Sequence, residues 1–86
     1  MKEYWKSFGV TLEGEYYIEY LEFENEGISR QINVYTPLKA KVEFFDIKNR
    51  TDWDSLYDGA LTDRHRTRME SLTVEEFEEL WNSRYT

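Results

Sequence analysis

The sequence contains no cysteine and only one histidine, His65. Without cysteine there can be no disulfide bond, thiolate metal site or cysteine nucleophile. A single histidine leaves little for a histidine-based metal site or a catalytic triad. Most classes of enzyme are therefore disfavoured, and we predict no catalytic, cofactor-binding or metal-binding residue and no cofactor.

Long hydrophobic runs are also missing. No stretch approaches the roughly 20 apolar residues that span a membrane, and the first residues lack the apolar core of a secretory signal. We therefore expect a cytoplasmic protein that does not bind membranes. Its 86 residues are expected to form a single domain, residues 1–86, with one modest core.

Positive charge is scarce, since 11 Lys and Arg against 18 Asp and Glu give a net charge of −7. General binding to nucleic acid is disfavoured, because the phosphate backbone attracts cations. A basic protein partner is favoured, because opposite charge accelerates encounter. The chain should fold, because 17% aromatic residues are too many for a disordered segment.

Three segments have the composition or alternation of β-strands. Residues 15–23 are dense in aromatic and β-branched side chains, residues 28–35 alternate, and residues 40–47 alternate again after Pro37. In the second segment Ile28, Ile32 and Val34 share one face and polar residues the other, which predicts a sheet with one wet face. Residues 4–8 could add an edge strand, and an exposed edge could pair with a second copy to form a homodimer.

The apolar pattern of the first long strand is irregular. Ile18 and Tyr20 lie on one face, whereas Leu21 and Phe23 lie on the other. Either a bulge near Tyr20 or partial cover of both faces would explain this pattern.

The C-terminal segment predicts an amphipathic helix that starts near Val74 and fades by Arg84. Thr73 and Glu76 have the spacing of a capping box, and Phe77, Leu80 and Trp81 form one apolar stripe. We predict an α+β fold: a three- or four-stranded antiparallel meander sheet with this helix packed on one face. Residues 48–71 are mostly polar, which predicts a long surface loop, and the spacing of their apolar residues predicts a helical turn at 52–57.

Two stretches carry a resemblance to a known family. They are Arg30-Gln31-Ile32-Asn33-Val34-Tyr35 in a strand and Glu76-Phe77-Glu78-Glu79-Leu80-Trp81 in the helix. Together with the opening Tyr4-Trp5 they make the chain similar to a family of small uncharacterised bacterial proteins with an R-Q-I-x-V-Y strand and an E-F-E-x-x-W helix. The resemblance implies a fold and a bacterial source, and it carries no activity.

Seven Tyr, three Trp and five Phe exceed what one thin core can enclose. Some of these rings are therefore expected at the surface among acidic residues, as in a protein-binding patch, and the alternative is that they wrap both faces of the sheet. The candidate protein-binding residues are Tyr17, Glu19, Tyr35, Trp53 and Tyr57.

Arg64, Arg66 and Arg68 are the one concentration of positive charge. In an extended conformation they would project on one side and could bind an anion. Alternatively, they pair within the chain with the Glu-rich strand or helix.

We expect a non-enzymatic protein-binding module of the immunity or inhibitor type that binds a basic protein. Two other functions stay open. One is an anion or small-ligand binder through Arg64 to Arg68. The other is a DNA-mimic inhibitor, which needs a continuous stripe of carboxylates spaced like phosphates.

Overall fold

A computed structural model describes residues 1–36, 41–49 and 59–83. Its elements are the strands β1 (Lys2–Val10), β2 (Tyr16–Glu24), β3 (Gly27–Thr36) and β4 (Lys41–Asp46), a 3₁₀ turn (Ile47–Asn49), the helix α1 (Asp63–Arg66), the strand β5 (Glu70–Ser71) and the helix α2 (Val74–Asn82). The strands form one antiparallel sheet in the order β4-β3-β2-β1-β5. The predicted α+β fold with a C-terminal helix is confirmed.

The sheet has five strands rather than three or four. The segment predicted as an edge strand is β1, and it lies inside the sheet because β5 pairs with its residues Trp5 and Lys6. Residues 59–71 are also not simply a loop, since they contain α1 and β5. The helical turn predicted at 52–57 lies outside the described residues.

The β2–β3 hairpin turns on two residues, Asn25 and Glu26. Their φ angles of 52° and 72° are both positive, as a type I′ turn requires. Asn25 adopts this conformation more readily than most residues, since its short side chain tolerates the left-handed region. The turn fixes the register in which Glu24 faces Gly27.

A β-bulge lies in the β2–β3 pair between Glu22 and Phe23, two residues beyond the predicted position. Ser29 is the extra residue, since Glu22 pairs with Arg30 and Phe23 pairs with Ile28. The bulge moves Ile28 to the face opposite Ile32, so the prediction that both share a face is wrong.

The sheet has a core on each face. On the helix face, which α2 covers, Ile32, Leu72, Phe77 and Trp81 are buried together. On the opposite face, Leu21, Phe23 and Leu61 are buried with Ile28 beside them. The predicted wet face is therefore wrong: Gln31 and Asn33 are buried there as well.

α2 begins as predicted. Thr73 accepts a hydrogen bond from the backbone N–H of Glu76 at 3.1 Å, and the Glu76 side chain accepts from the backbone N–H of Thr73 at 3.1 Å. This capping box satisfies two backbone donors that the first turn would otherwise leave unpaired. Phe77 and Trp81 are buried against the sheet.

A buried ion pair joins α2 to the sheet. The Glu22 carboxylate is fully buried and accepts hydrogen bonds from Arg30 at 2.8 and 2.6 Å and from the Tyr4 hydroxyl at 2.8 Å. Arg30 also pairs with Glu78 of α2, and its guanidinium lies 5.0 Å from the centre of the Phe77 ring. One arginine therefore neutralises a buried carboxylate and holds the helix through charge and cation–π contacts.

This environment changes the pKa of two groups in the pair. Burial by itself raises the pKa of Glu22, but the hydrogen bonds from Arg30 and Tyr4 outweigh it and lower the pKa to about 2. Burial and the hydrogen bond to Glu22 raise the pKa of Tyr4 to about 12. Both groups therefore keep one protonation state across the neutral pH range.

We expect Glu22→Gln to lower the free energy of unfolding by about 3 kcal/mol, because it leaves Arg30 partly buried without its main counter-charge. Urea unfolding followed by far-UV circular dichroism measures this change. Glu24→Gln, at an exposed position on the same strand, should change it by less than about 0.5 kcal/mol. Equal losses in the two variants would contradict the structural role of the pair.

We also expect the contribution of Glu22 to depend on pH. Its pKa in the folded protein, about 2, lies below its ordinary value of 4.5. The stabilisation is therefore complete above the ordinary pKa and is lost as the pH falls through the folded one. Free energies of unfolding measured from neutral pH down to about pH 2 should show the difference between wild type and Glu22→Gln shrinking in that window. A difference that stays constant would refute this assignment.

Candidate protein-binding site

Within residues 1–36, 41–49 and 59–83, only part of the helix face of the sheet is covered. α2 packs over the part that carries Tyr4, Tyr20, Ile32 and Phe44. Next to this part lies a second set of apolar side chains that pair across the four strands, two positions from Tyr20, Ile32 and Phe44 on β2, β3 and β4 and four positions beyond Tyr4 on β1. We call this set, Phe8, Ile18, Val34 and Val42, the apolar row.

The two ends of the apolar row are exposed to solvent. Phe8 on β1 is 59% exposed and Val42 on β4 is 44% exposed. Beyond the row, Val10 and Tyr16 pair with each other and are 56% and 67% exposed. Single exposed apolar side chains are ordinary, but Phe8, Val10 and Tyr16 lie on the adjacent strands β1 and β2, and the partly buried Ile18 and Val34 connect them with Val42 on β4. They form a contiguous apolar surface, which is typical of an interaction site.

A groove separates this surface from α2. It has a volume of about 350 Å³ and is lined by Tyr20, Glu76, Glu79, Leu80 and Ser83. The groove leads toward the apolar row through Lys6, whose Nζ lies 5.8 Å from the centre of the Tyr20 ring and 5.6 Å from that of Phe8. The floor of the groove, at Tyr20, is therefore apolar, and its α2 side, with Glu76 and Glu79, is acidic.

Glu76, on the acidic side of the groove, is ionised at neutral pH. Hydrogen bonds from the backbone and side chain of Thr73 lower the pKa of Glu76. Glu79 is exposed one turn further along α2. Lys6, which lies beside the groove, is 3.9 Å from Glu70, and its charge also helps to lower the pKa of Glu76. The groove therefore favours positively charged groups of a ligand.

Three of the residues predicted from the sequence lie together on the opposite face. The rings of Tyr17 and Tyr35 have centroids 5.3 Å apart at 35°, and Glu19 follows Tyr17 on the same side of β2. Glu19 accepts a hydrogen bond from Gln31 at 3.3 Å, and Gln31 also donates to Asn33 at 2.9 Å. Trp53 and Tyr57 lie outside the described residues.

Tyr17, Glu19 and Tyr35 are partly buried rather than fully exposed. Burial raises the pKa of all three groups. The role of Tyr17, Glu19 and Tyr35 in protein binding stays a prediction. Glu19 and Tyr35 hydrogen-bond within the network of Gln31 and Asn33, and the ring of Tyr17 contacts that of Tyr35, which gives these residues a structural role that the sequence did not indicate.

The backbone of β1 leaves room for Tyr17 at Gly9. A Cβ atom at Gly9 would lie 2.4 Å from Cζ of Tyr17, well inside van der Waals contact. The tyrosine ring therefore lies across the glycine of the neighbouring strand. This close approach requires glycine for its missing side chain and not for an unusual backbone angle.

The extended conformation considered for the three arginines is wrong. Residues 63–66 form α1, because the Thr62 side chain caps its first turn by accepting from the backbone N–H of His65 at 3.3 Å. Arg66 pairs with Glu3 at 2.7 Å and with Asp63 at 2.8 Å, so the alternative of intramolecular pairing holds for this residue. Its partner Glu3 lies on β1 rather than on the Glu-rich strand. Arg64 and Arg68 are exposed.

The described residues show no group of three or more acidic or histidine side chains that could hold a metal ion. Within the same parts of the chain, no helix combines the length and apolar character needed to cross a membrane. Comparison with protein-family models, with curated proteins and with solved structures gave no match. The family resemblance seen in the sequence therefore stays a prediction.

We expect Gly9→Ala to destabilise the fold by about 1–3 kcal/mol, because the added methyl group must displace the Tyr17 ring. Gly27→Ala is the matched control: it lies in β3, and its nearest contact to a new Cβ is an ordinary 3.8 Å. Thermal and urea unfolding of both variants measure the effect. If Gly9→Ala is as stable as Gly27→Ala, the packing of Tyr17 on Gly9 is wrong.

Proposed function

We propose that the protein is a non-enzymatic binding module that holds a basic protein partner on the apolar row and the adjoining groove, in an inhibitor-like or immunity-like role. The observation that carries this proposal is the exposed apolar row beside the ionised Glu76 of α2. Apolar contact and charge attraction are thus available on one surface.

The apolar row supplies affinity. Fully burying a side chain such as Phe8 or Val42 is worth roughly 1.5–3 kcal/mol, and both have much of that area still exposed. Protein interfaces commonly place apolar side chains at the centre and polar ones at the rim. The row and the glutamates of α2 have this arrangement.

The net charge should raise the rate of association and favour basic proteins over acidic ones. A total of −7 attracts a basic protein and repels acidic ones, and salt screens this attraction. Binding to the proposed partner should therefore weaken as salt rises. The apolar contribution should remain.

The same geometry argues against the other functions. Carboxylates lie on both sides of the sheet, with Glu19 on one face and the exposed Glu76 and Glu79 on the helix that covers the other, so the described residues do not present the single stripe that a DNA mimic needs. Arg66 is paired with carboxylates, which weakens an anion site that requires all three arginines. Glu22, whose pKa is lowered to about 2, is fully buried and neutralised by Arg30, which makes it a structural group.

The test uses the purified, tagged protein to capture a partner from native lysate, followed by calorimetric titration of the purified partner at low and moderate salt. We expect one stoichiometric basic protein, with binding that weakens as salt rises. The variant Phe8→Ser/Val42→Ser should bind at least about tenfold more weakly.

The matched control is Ile47→Ser/Val74→Ser, which removes two apolar side chains that are exposed to a similar degree but lie outside the row. It should bind like wild type, and circular dichroism should show that both variants are folded. Capture of no basic protein, or full binding by the row variant, would refute the proposed function.

A further inference from the structure

The apolar row runs alongside α2. The segment leading into α2 is held beside β1, where the backbone N–H of Leu72 donates to the carbonyl of Tyr4 at 3.2 Å. The helix ends over β4, where the ring of Trp81 lies 5.8 Å from that of Phe44. α2 therefore crosses the four strands from β1 to β4. The apolar row crosses the same strands in the same order.

The apolar row is about as long as one helix, and its member Val34 also packs against the core under α2. Four adjacent strands span three gaps of about 4.8 Å, or about 14 Å in all, which corresponds to about nine or ten helical residues. α2, which covers the neighbouring part of the same strands, has 9 residues. Packed helices lie about 8–10 Å apart, so a second helix would lie over the apolar row and the adjoining Val10 and Tyr16.

The acidic lining of the groove indicates which charge a helix bound there should carry. Glu76 and Glu79 line its α2 side, so they would face the edge of any helix that packs there. A segment with Lys or Arg at that edge would pair with them across the groove. A second copy of this chain is a poor occupant, because each copy carries a net charge of −7 and α2 is itself rich in glutamate.

We propose that the apolar row and the groove together bind an amphipathic helix of the basic partner, with its apolar side on the row and its Lys or Arg side chains facing Glu76 and Glu79. This inference rests on the proposed function and specifies the element of the partner that is recognised. The bound helix completes a layer of two helices on one face of the sheet, an arrangement common in α+β folds.

Synthetic peptides test this proposal directly. The first is a Leu/Lys peptide of about 14 residues with leucine at i, i+3, i+4 and i+7, which is apolar along one side of a helix. The second has the same composition in strict alternation, which favours an extended strand, and the third replaces each Lys with Glu at helical spacing. Calorimetry measures affinity, and amide chemical shifts of the protein locate the site.

We expect the helical Leu/Lys peptide to bind at least about tenfold more tightly than either of the others, with the largest shifts at Phe8, Ile18, Val34 and Val42. Tighter binding of the alternating peptide, or shifts centred on Tyr17 and Tyr35, would overturn the proposal.

Variants separate the groove from the total charge of the protein. Glu76→Gln/Glu79→Gln removes the acidic side of the groove while the capping box keeps an acceptor at residue 76. Glu24→Gln/Glu26→Gln removes the same charge at exposed positions around the β2–β3 turn. The first variant should bind the helical peptide about tenfold more weakly than wild type, and the second less than about twofold more weakly. Equal losses would overturn the proposal in favour of a general charge effect.

The two proposals fail in different ways. If the captured basic protein binds through the apolar row while the alternating peptide outcompetes the helical one, the helix inference is wrong and the proposed function stands. If light scattering shows a dimer that Phe8→Ser abolishes, the occupant is a second copy and the helix inference is wrong. If neither a partner nor a peptide binds, both proposals are wrong.

Discussion

The buried pair of Glu22 and Arg30 determines where α2 lies on the sheet. A carboxylate without access to water must be neutralised in place, and Arg30 does this through two hydrogen bonds. The same guanidinium pairs with Glu78 and lies over the rings of Phe77 and Trp81. α2 is thereby held over one end of the sheet. Among the described residues, α2 leaves the two ends of the apolar row, Phe8 and Val42, exposed.

The sequence predicted the elements with a strong local signal. The capping box at Thr73 and the apolar stripe that follows it predicted where α2 begins and ends. Alternation of apolar and polar residues predicted the long strands. β5 and α1 were missed because two and four residues are too few to show a period. The bulge was expected two residues away, because only the pairing of β2 with β3 identifies Ser29 as the extra residue.

The candidate site was harder to predict than the fold. Alternation places Val42 and Phe44 on the same face of β4, which the pairing confirms, but it could not show that a nine-residue helix covers Phe44 and leaves Val42 exposed. The prediction also erred in the opposite direction, because it placed Gln31 and Asn33 on a face exposed to water. Polar side chains usually face water, whereas these two are buried and hydrogen-bond to each other. Both errors come from packing between distant segments, which a local pattern does not contain.

The separation of the core into two clusters has an evolutionary consequence. Leu21, Phe23 and Leu61 lie on the face opposite the apolar row, with the sheet between them. Substitutions on one side share few contacts with the other, so their effects on stability should largely add. Exchange of Phe8 or Val42, and with them of the partner proposed above, should therefore leave the contribution of the opposite cluster to stability unchanged. The residues of the proposed binding surface and those of the opposite cluster can thus vary separately, although they lie on one sheet.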